Sequence, residues 1–151
     1  MTQAVVAGAL TVAALNALAG LLGLFRWLRG DSDSRVFWVL LRVGQGSSLA
    51  FAIAVGSLAV TGHYSSDRLF YVYALVPLAV AFVAEQLRAA AAQAILDRRG
   101  LANAAAVGEL REREQRRVVS EILARELAIM ALSAVIVAIL ALRAAATAHG
   151  F

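Results

Sequence analysis

The stretch DRLFYVYALVPLAVAFVAEQLRAAAAQAILDRRG, residues 67–100, decides the fold of this chain. It is apolar over residues 69–84, a length and composition that predict a membrane-spanning helix. Glu85 and the polar positions after it predict that the same helix leaves the membrane and continues, supported by alanines. The Arg-Arg-Gly at 98–100 predicts its end, with cations at the negative end of the helix and a glycine for the left-handed residue.

The composition indicates that lipid, not water, surrounds most of the chain. Of the 151 residues 62% are hydrophobic, and the mean hydropathy is +0.77, more apolar than soluble domains of this size. Cysteine is absent, and all 14 basic residues are arginines. Disulfides, thiol chemistry and Schiff-base or lysine-nucleophile chemistry are therefore excluded, because they need a thiol or a primary amine.

Four apolar stretches predict an all-α integral membrane protein, a four-helix antiparallel bundle that forms a single membrane domain over residues 1–151. The third and fourth helices are predicted to extend into a cytoplasmic helical hairpin. The predicted spans are residues 4–25, 36–61, 69–88 and 126–146, and the predicted hairpin is residues 89–125.

Small residues in the first two spans predict close helix packing. Gly20 and Gly23 lie at helical spacing in span one, and Gly44 and Gly56 fall on expected packing faces of span two. Small residues let helix backbones approach closely in lipid, where helix association has no hydrophobic driving force. Asn16, the one amide in span one, is predicted to form an interhelical hydrogen bond.

Three local features refine this plan. Ser34 or Asp33 is predicted to cap the second helix. Phe37 is predicted to belong, with neighbouring aromatic residues at the end of span one, to a belt at one membrane interface. Pro77 lacks an N–H and clashes with the carbonyl of Tyr73, so a kink is predicted in span three.

The segment 109–125 is highly charged, yet its charges nearly cancel. Its opposite charges recur four residues apart, a spacing that supports a solvated helix. The predicted pairs are Glu109–Arg113, Glu112–Arg116, Arg117–Glu121 and Glu121–Arg125. We expect a self-compensated helical extension of the last span, with a docking surface for another protein as the alternative.

The arginine distribution predicts the orientation. Twelve of the 14 arginines fall in segments 26–35 and 88–125 or at Arg42, and the other two are Arg68 and Arg143. The positive-inside rule then places loops 26–35 and 89–125 in the cytoplasm and both termini outside. The predicted location is the bacterial plasma (inner) membrane, with multiple crossings. Because this rule explains the arginine excess, no nucleic-acid binding is expected.

Polar residues near the inner third of the predicted bundle form the candidate site: Arg42, Gln45, Glu85, Arg88 and Arg125. Ionisable groups at membrane depth are costly and indicate a site by default. A Glu85–Arg42 or Glu85–Arg125 pair would satisfy both partners, and such pairs would then only fix the depth of the helices. The alternative is a polar pocket for an ion, a proton or a lipid headgroup.

Other chemistry has little support in the sequence. His63 and His149 both fall after spans, at the outer surface, and are the only and weak candidates for a metal site. We find no catalytic spacing of serine, histidine and acid, no metalloprotease motif and no phosphate loop. The sequence therefore predicts no cofactor and no enzymatic activity.

Two functional hypotheses remain. The first is a non-enzymatic membrane protein that acts as a self-associating or accessory subunit, or as a scaffold, of a membrane complex. Its expected partners are the lipid bilayer and either further copies of the chain or a larger membrane-protein complex. The second is a homo-oligomeric small channel or transporter that uses Arg42 and Glu85 together with the Pro77 kink.

Overall fold

A computed structural model describes residues 1–31 and 34–151 of the chain. The described part is all-helical and contains no strand, which confirms the predicted class. Four of its five helices are long and apolar enough to cross a membrane, as predicted. The helices are α1 (Thr2–Leu28), α2 (Arg35–Val60), α3 (Leu69–Arg98), α4 (Ala104–Gly108) and α5 (Glu112–Thr147).

The helix ends follow the predicted capping chemistry. The Ser34 hydroxyl accepts a hydrogen bond from the Phe37 backbone N–H at 3.2 Å and so caps α2. The other predicted cap, Asp33, lies outside the described residues. Gly100 adopts a φ of +67° directly after the last residues of α3, a conformation that side chains with a Cβ rarely adopt. The predicted stop of this helix is therefore confirmed.

Helices α3 and α5 are longer than a bilayer requires. They contain 30 and 36 residues, or roughly 45 and 54 Å at 1.5 Å per residue, against a hydrocarbon core of about 30 Å. The charged segments lie at the end of α3 and the start of α5. Pro77 lies inside α3, which is a continuous helix through that position.

Helix α5 is the centre of the packing, because it lies against both α1 and α3, while α2 packs mainly on α1. Buried side chains from all four long helices meet in two main clusters. The first cluster contains Ala19, Phe37, Leu41, Ala84, Leu127, Met130, Ala131 and Ala134. The second contains Val5, Ala9, Val55, Phe70, Ala74, Ala144 and Ala148.

Glycines in α1 allow the close approach of α5, as predicted. A Cβ added at Gly20 would lie 2.7 Å from Val135 Cγ2 and 3.0 Å from the Val135 backbone nitrogen. One added at Gly23 would lie 2.5 Å from the Phe37 ring and 2.6 Å from Ala131 Cβ. Phe37 is fully buried against α1, so it does not face the interface as a member of the predicted aromatic belt would.

Asn16 joins α1 to α2, which confirms its predicted role. Its side-chain nitrogen donates to the Gly44 carbonyl at 3.2 Å and to Ser48 Oγ at 3.4 Å, and the residue is 1% exposed. Gly56, in contrast, is exposed and has no neighbouring atom within 4 Å of an added Cβ. The packing expected there is wrong, because Val55 occupies the buried face and the next residue points about 100° away.

The chain termini lie together at one end of the molecule. Thr2 Oγ1 donates to the Phe151 carbonyl at 3.0 Å, and the Phe151 ring lies edge-on to Phe70 with centroids 5.0 Å apart. The His149 carbonyl accepts hydrogen bonds from the Ser66 backbone N–H at 2.9 Å and from Ser65 Oγ at 3.0 Å. The last residues therefore form a tail that closes over the start of α3.

At the other end of the molecule, the tip of the hairpin has a small core of its own. Leu96 of α3, Val107 of α4 and Val118 of α5 are buried together. Asn103 accepts a hydrogen bond from the Ala106 N–H at 3.1 Å and caps the short α4. The connector between α3 and α5 is therefore packed onto both helices.

Candidate functional site

Helix α2 supplies one cation to the predicted site. Arg42 and Gln45 are three residues apart on the same face, and Arg42 Nη1 donates to Gln45 Oε1 at 2.7 Å. The same guanidinium nitrogen lies 2.6 Å from Glu85 Oε1 of α3. The predicted Arg42–Glu85 pair is therefore present and links α2 to α3.

Helix α3 supplies an acid and a second cation. Glu85 and Arg88 are three residues apart, and Arg88 Nε lies 3.0 Å from Glu85 Oε2. Arg88 Nη1 also lies 3.8 Å from Glu126 Oε2 of α5, and its guanidinium carbon lies 5.5 Å from the centre of the Trp38 ring. We call Arg42, Gln45, Glu85, Arg88 and Glu126 the paired-charge cluster.

The charges of the paired-charge cluster balance. It contains two arginines and two glutamates, and each carboxylate faces at least one guanidinium. An isolated charge at membrane depth costs several kcal/mol, whereas mutual pairing and snorkelling of long stems offset much of that cost. The cluster connects α2, α3 and α5 at one level. It links α2 to α3, two helices that otherwise pack little against each other.

Arg125 is not brought into the paired-charge cluster. It is exposed and lines a groove with Trp27, Arg98 and Glu121 on another face of α5. Consecutive helix residues point about 100° apart, so only one of Arg125 and Glu126 can face α3 at the level of Arg88. The sequence places Glu126 next to Arg125, and only the rotation of α5 about its axis decides which of the two joins the cluster.

His63 and His149, the weak candidates for a metal site, show no shared geometry. His63 Nδ1 lies 3.2 Å from the Thr61 hydroxyl of its own turn, and the His149 side chain is exposed while its carbonyl holds the tail. Over residues 1–31 and 34–151, no group of three or more His, Cys, Asp or Glu side chains is placed to hold a metal ion.

Lateral grooves lie beside the described helices, and three of them, none lined by the paired-charge cluster, border the apolar parts of the long helices. One of about 410 Å³ lies between α1 and α2, and a second of about 410 Å³ lies between α3 and α5. Both are lined almost entirely by apolar side chains. The third, of about 450 Å³, contains Arg98, Glu121 and Arg125.

Ion pairs in the hairpin differ from the predicted pattern. The Glu112–Arg116 pair forms within α5 at 2.9 Å, as predicted. Glu121 instead accepts a hydrogen bond from Arg99 of α3 and lies 3.5 Å from Arg98. The hydrogen bond from Arg99, followed by the charges of Arg99, Arg98 and Arg117, lowers the pKa of Glu121. Glu121 therefore connects the two helices of the hairpin, a role that spacing within one helix does not reveal.

Comparison of the chain with protein-family models, with curated proteins and with solved structures finds no match.

Proposed function

We propose that this chain is a non-enzymatic membrane protein that serves as a small accessory subunit or scaffold, associating with further copies of itself or with a larger membrane complex. The observation that carries the proposal is the contrast between its two sets of charges. Those at membrane depth are balanced by one another in the paired-charge cluster. Those of the hairpin at residues 89–125 include exposed groups of both signs, which suit contacts with another protein.

An antiparallel four-helix bundle in the membrane is part of this proposal. The composition of the buried clusters supports it, because residues near the start of one helix meet residues near the end of the next. Ala19, near the end of α1, shares a cluster with Phe37 and Leu41, near the start of α2. Val5, near the start of α1, shares a cluster with Val55, near the end of α2.

The proposed orientation places the hairpin in the cytoplasm and both termini outside. Because the chain has no cysteine, single introduced cysteines test it directly. Ala105→Cys, at the hairpin tip, should react with an impermeant maleimide only in inverted membrane vesicles. Tyr64→Cys, in the exposed loop between α2 and α3, is the matched control and should react in intact cells. Labelling of Ala105→Cys in intact cells would overturn the orientation.

The proposed role is tested by the mass of the full chain in mild detergent or in nanodiscs. We expect a defined homo-oligomer or a stoichiometric complex with a second membrane protein. Reversing two exposed hairpin charges, Arg113→Glu with Arg117→Glu, should lower the associated fraction. Arg143→Glu, at the other end of α5, should not. A strict monomer with no second protein would contradict the role.

One observation favours the second candidate, a homo-oligomeric channel or transporter. The Arg42 side chain is 53% exposed although it lies inside the second predicted span. A cation there would face a neighbouring copy or a lipid headgroup. Glu85→Gln separates the two candidates in proteoliposomes. A structural pair predicts a loss of stability of up to about 3 kcal/mol with no change in ion flux, because Arg42 loses its carboxylate partner at membrane depth. A flux that is present in the wild type and lost in Glu85→Gln would favour the channel.

A further inference from the structure

A groove of about 450 Å³ opens where the end of α1 approaches α3 and α5. It combines three kinds of group that meet nowhere else among the described grooves. These are an indole from α1, guanidinium groups from α3 and α5, and an apolar floor. Its members include Trp27, Arg98, Arg125, Ile129 and Leu132.

The polar end of the groove carries excess positive charge. Arg98 and Arg125 both line it, and both side chains are exposed. The acid beside them, Glu121, accepts its hydrogen bond from Arg99 and lies 3.5 Å from Arg98. Glu121 is thus already paired with Arg99 and Arg98, while Arg125 lines the same groove, so the site favours an additional anion.

The groove continues as an apolar channel along α5. Ile129 and Leu132 line it and also line the groove of about 410 Å³ between α3 and α5. The α5 residues 125, 129, 132 and 136 recur every three or four positions, so they share one face of the helix. Together with Val80 and Val83 of α3, this face provides apolar side chains from the level of Arg125 to that of Ile136.

Trp27 marks the depth of the polar end. It lies one residue before the end of α1 and is 46% exposed. Tryptophan is enriched at the level of lipid headgroups, where the ring is partly apolar and the N–H is hydrated. Arg98 and Arg125 line the same groove, so their guanidinium groups lie close to the level where lipid phosphates are found.

From this juxtaposition we infer that the groove binds one anionic phospholipid. Its phosphate lies between Arg98 and Arg125, and one acyl chain lies along Ile129, Leu132 and Ile136. Guanidinium groups match phosphate oxygens in charge and geometry, and the apolar channel matches a hydrocarbon chain. This inference depends on the membrane assignment and not on the proposed role as a subunit.

Tryptophan fluorescence of the full-length protein tests it. The chain has two tryptophans, so Trp38→Phe leaves Trp27 as the only reporter, inside the groove. The protein is placed in phosphatidylcholine vesicles that contain a fixed mole fraction of a lipid with brominated acyl chains, which quench nearby indoles. This lipid is brominated phosphatidylglycerol in one set of vesicles and brominated phosphatidylcholine in the other. Two arginines should favour the brominated phosphatidylglycerol by about thirtyfold in relative association constant.

Arginine variants locate the effect. Arg98→Gln with Arg125→Gln should reduce the preference to about one. Arg113→Gln with Arg116→Gln removes the same charge from exposed positions of α5 and should keep the preference. Equal quenching by the two lipids, or an equal loss in the two double variants, would overturn the site. Circular dichroism checks folding. The Arg125 side chain makes no ion pair within the described ranges. Arg125→Gln alone should therefore lower the preference about fivefold.

A last arm separates a lipid from free phosphate. In detergent without phospholipid, inorganic phosphate should leave Trp27 emission unchanged. Short-chain phosphatidylglycerol should shift the emission, and Arg98→Gln with Arg125→Gln should abolish this shift. An equal shift with inorganic phosphate would overturn the requirement for an acyl chain and leave a simple anion site.

Discussion

Helices α5 and α2 differ greatly in burial although both are long and apolar. Half of the apolar segment of α5 is buried inside the protein, whereas only 22% of the apolar segment of α2 is buried. The buried face of α5 is mostly small, with Ala131, Ala134, Ala138, Ala141 and Ala144. The exposed face of α2 carries large aliphatic side chains such as Val39, Leu49 and Ile53.

This difference teaches which property makes a helix central in a membrane protein. Lipid solvates large aliphatic side chains about as well as the protein interior does, so hydropathy alone does not favour their burial in a membrane protein. Small residues allow neighbouring backbones to approach, and the close contacts provide the attraction. Helix α5 is central because Gly20 and Gly23 of α1 allow its backbone to approach closely, with Val135 and Ala131 at the contact.

The largest expected effect tests this contact. Gly20→Ala should destabilise the protein by about 1–3 kcal/mol, because the added methyl group meets Val135 backbone and side-chain atoms at 3.0 and 2.7 Å. The measurement is reversible unfolding by added denaturing detergent. Gly56→Ala in α2, where nothing lies within 4 Å, is the matched control and should be neutral. Equal losses in the two variants would break the distinction between central and peripheral helices.

The next effect sharpens the attachment of α2 to α1. Asn16→Ala should cost about 0.6–1.7 kcal/mol, the range measured for hydrogen bonds between membrane helices, because it removes the bonds to Gly44 and Ser48. The same unfolding assay measures it. Thr11→Ala removes a hydroxyl that bonds only to Ala7 of its own helix and should cost less than about 0.5 kcal/mol. A loss in Thr11→Ala as large as in Asn16→Ala would argue against a specific α1–α2 bond.

A third test concerns the end of α5. Replacing Phe151 with leucine removes the edge-on contact with Phe70 and should cost about 0.5–1.5 kcal/mol in the same assay. The substitution leaves the backbone bond from Thr2 in place. Deleting residues 149–151 should cost more, because the Ser65 and Ser66 bonds are also lost. If both variants are as stable as the wild type, the tail does not help to fix α5.

The smallest expected effect is the pH dependence of Glu121, which lies near the start of α5, in the hairpin outside the proposed spans. The hydrogen bond from Arg99 lowers the pKa of Glu121. The Glu121 carboxylate therefore contributes its full stabilisation above the unfolded pKa of about 4.3. This stabilisation is lost as the pH falls through the lower pKa of the folded state. Spin labels on Ala102→Cys and Val119→Cys should show a broader distance distribution as the pH falls below the unfolded pKa of a glutamate. In Glu121→Gln that distribution should already be broad at neutral pH, and an unchanged narrow one would contradict the role of Glu121.

Periodicity and hydropathy were enough to predict the four long helices, the ends of α2 and α3 and the bond formed by Asn16. They also predicted the Arg42–Glu85 pair, because two ionisable groups at the same depth on neighbouring helices have few other partners. They failed where rotation about a helix axis decides the outcome. Arg125 and Gly56 each lie next to the residue that occupies the buried or paired position, and spacing alone does not fix the orientation of a nearly uniform apolar helix.

The meeting of Thr2 with Phe151 almost closes the chain into a ring. A short peptide could link the two ends, and the ring could then be opened in the exposed part of the connector near Asn103. Such a circular permutant would have the same helices in the same places with a different order along the gene. It would also place both new termini at the tip of the hairpin, where an affinity tag would not displace the aromatic side chain at position 151.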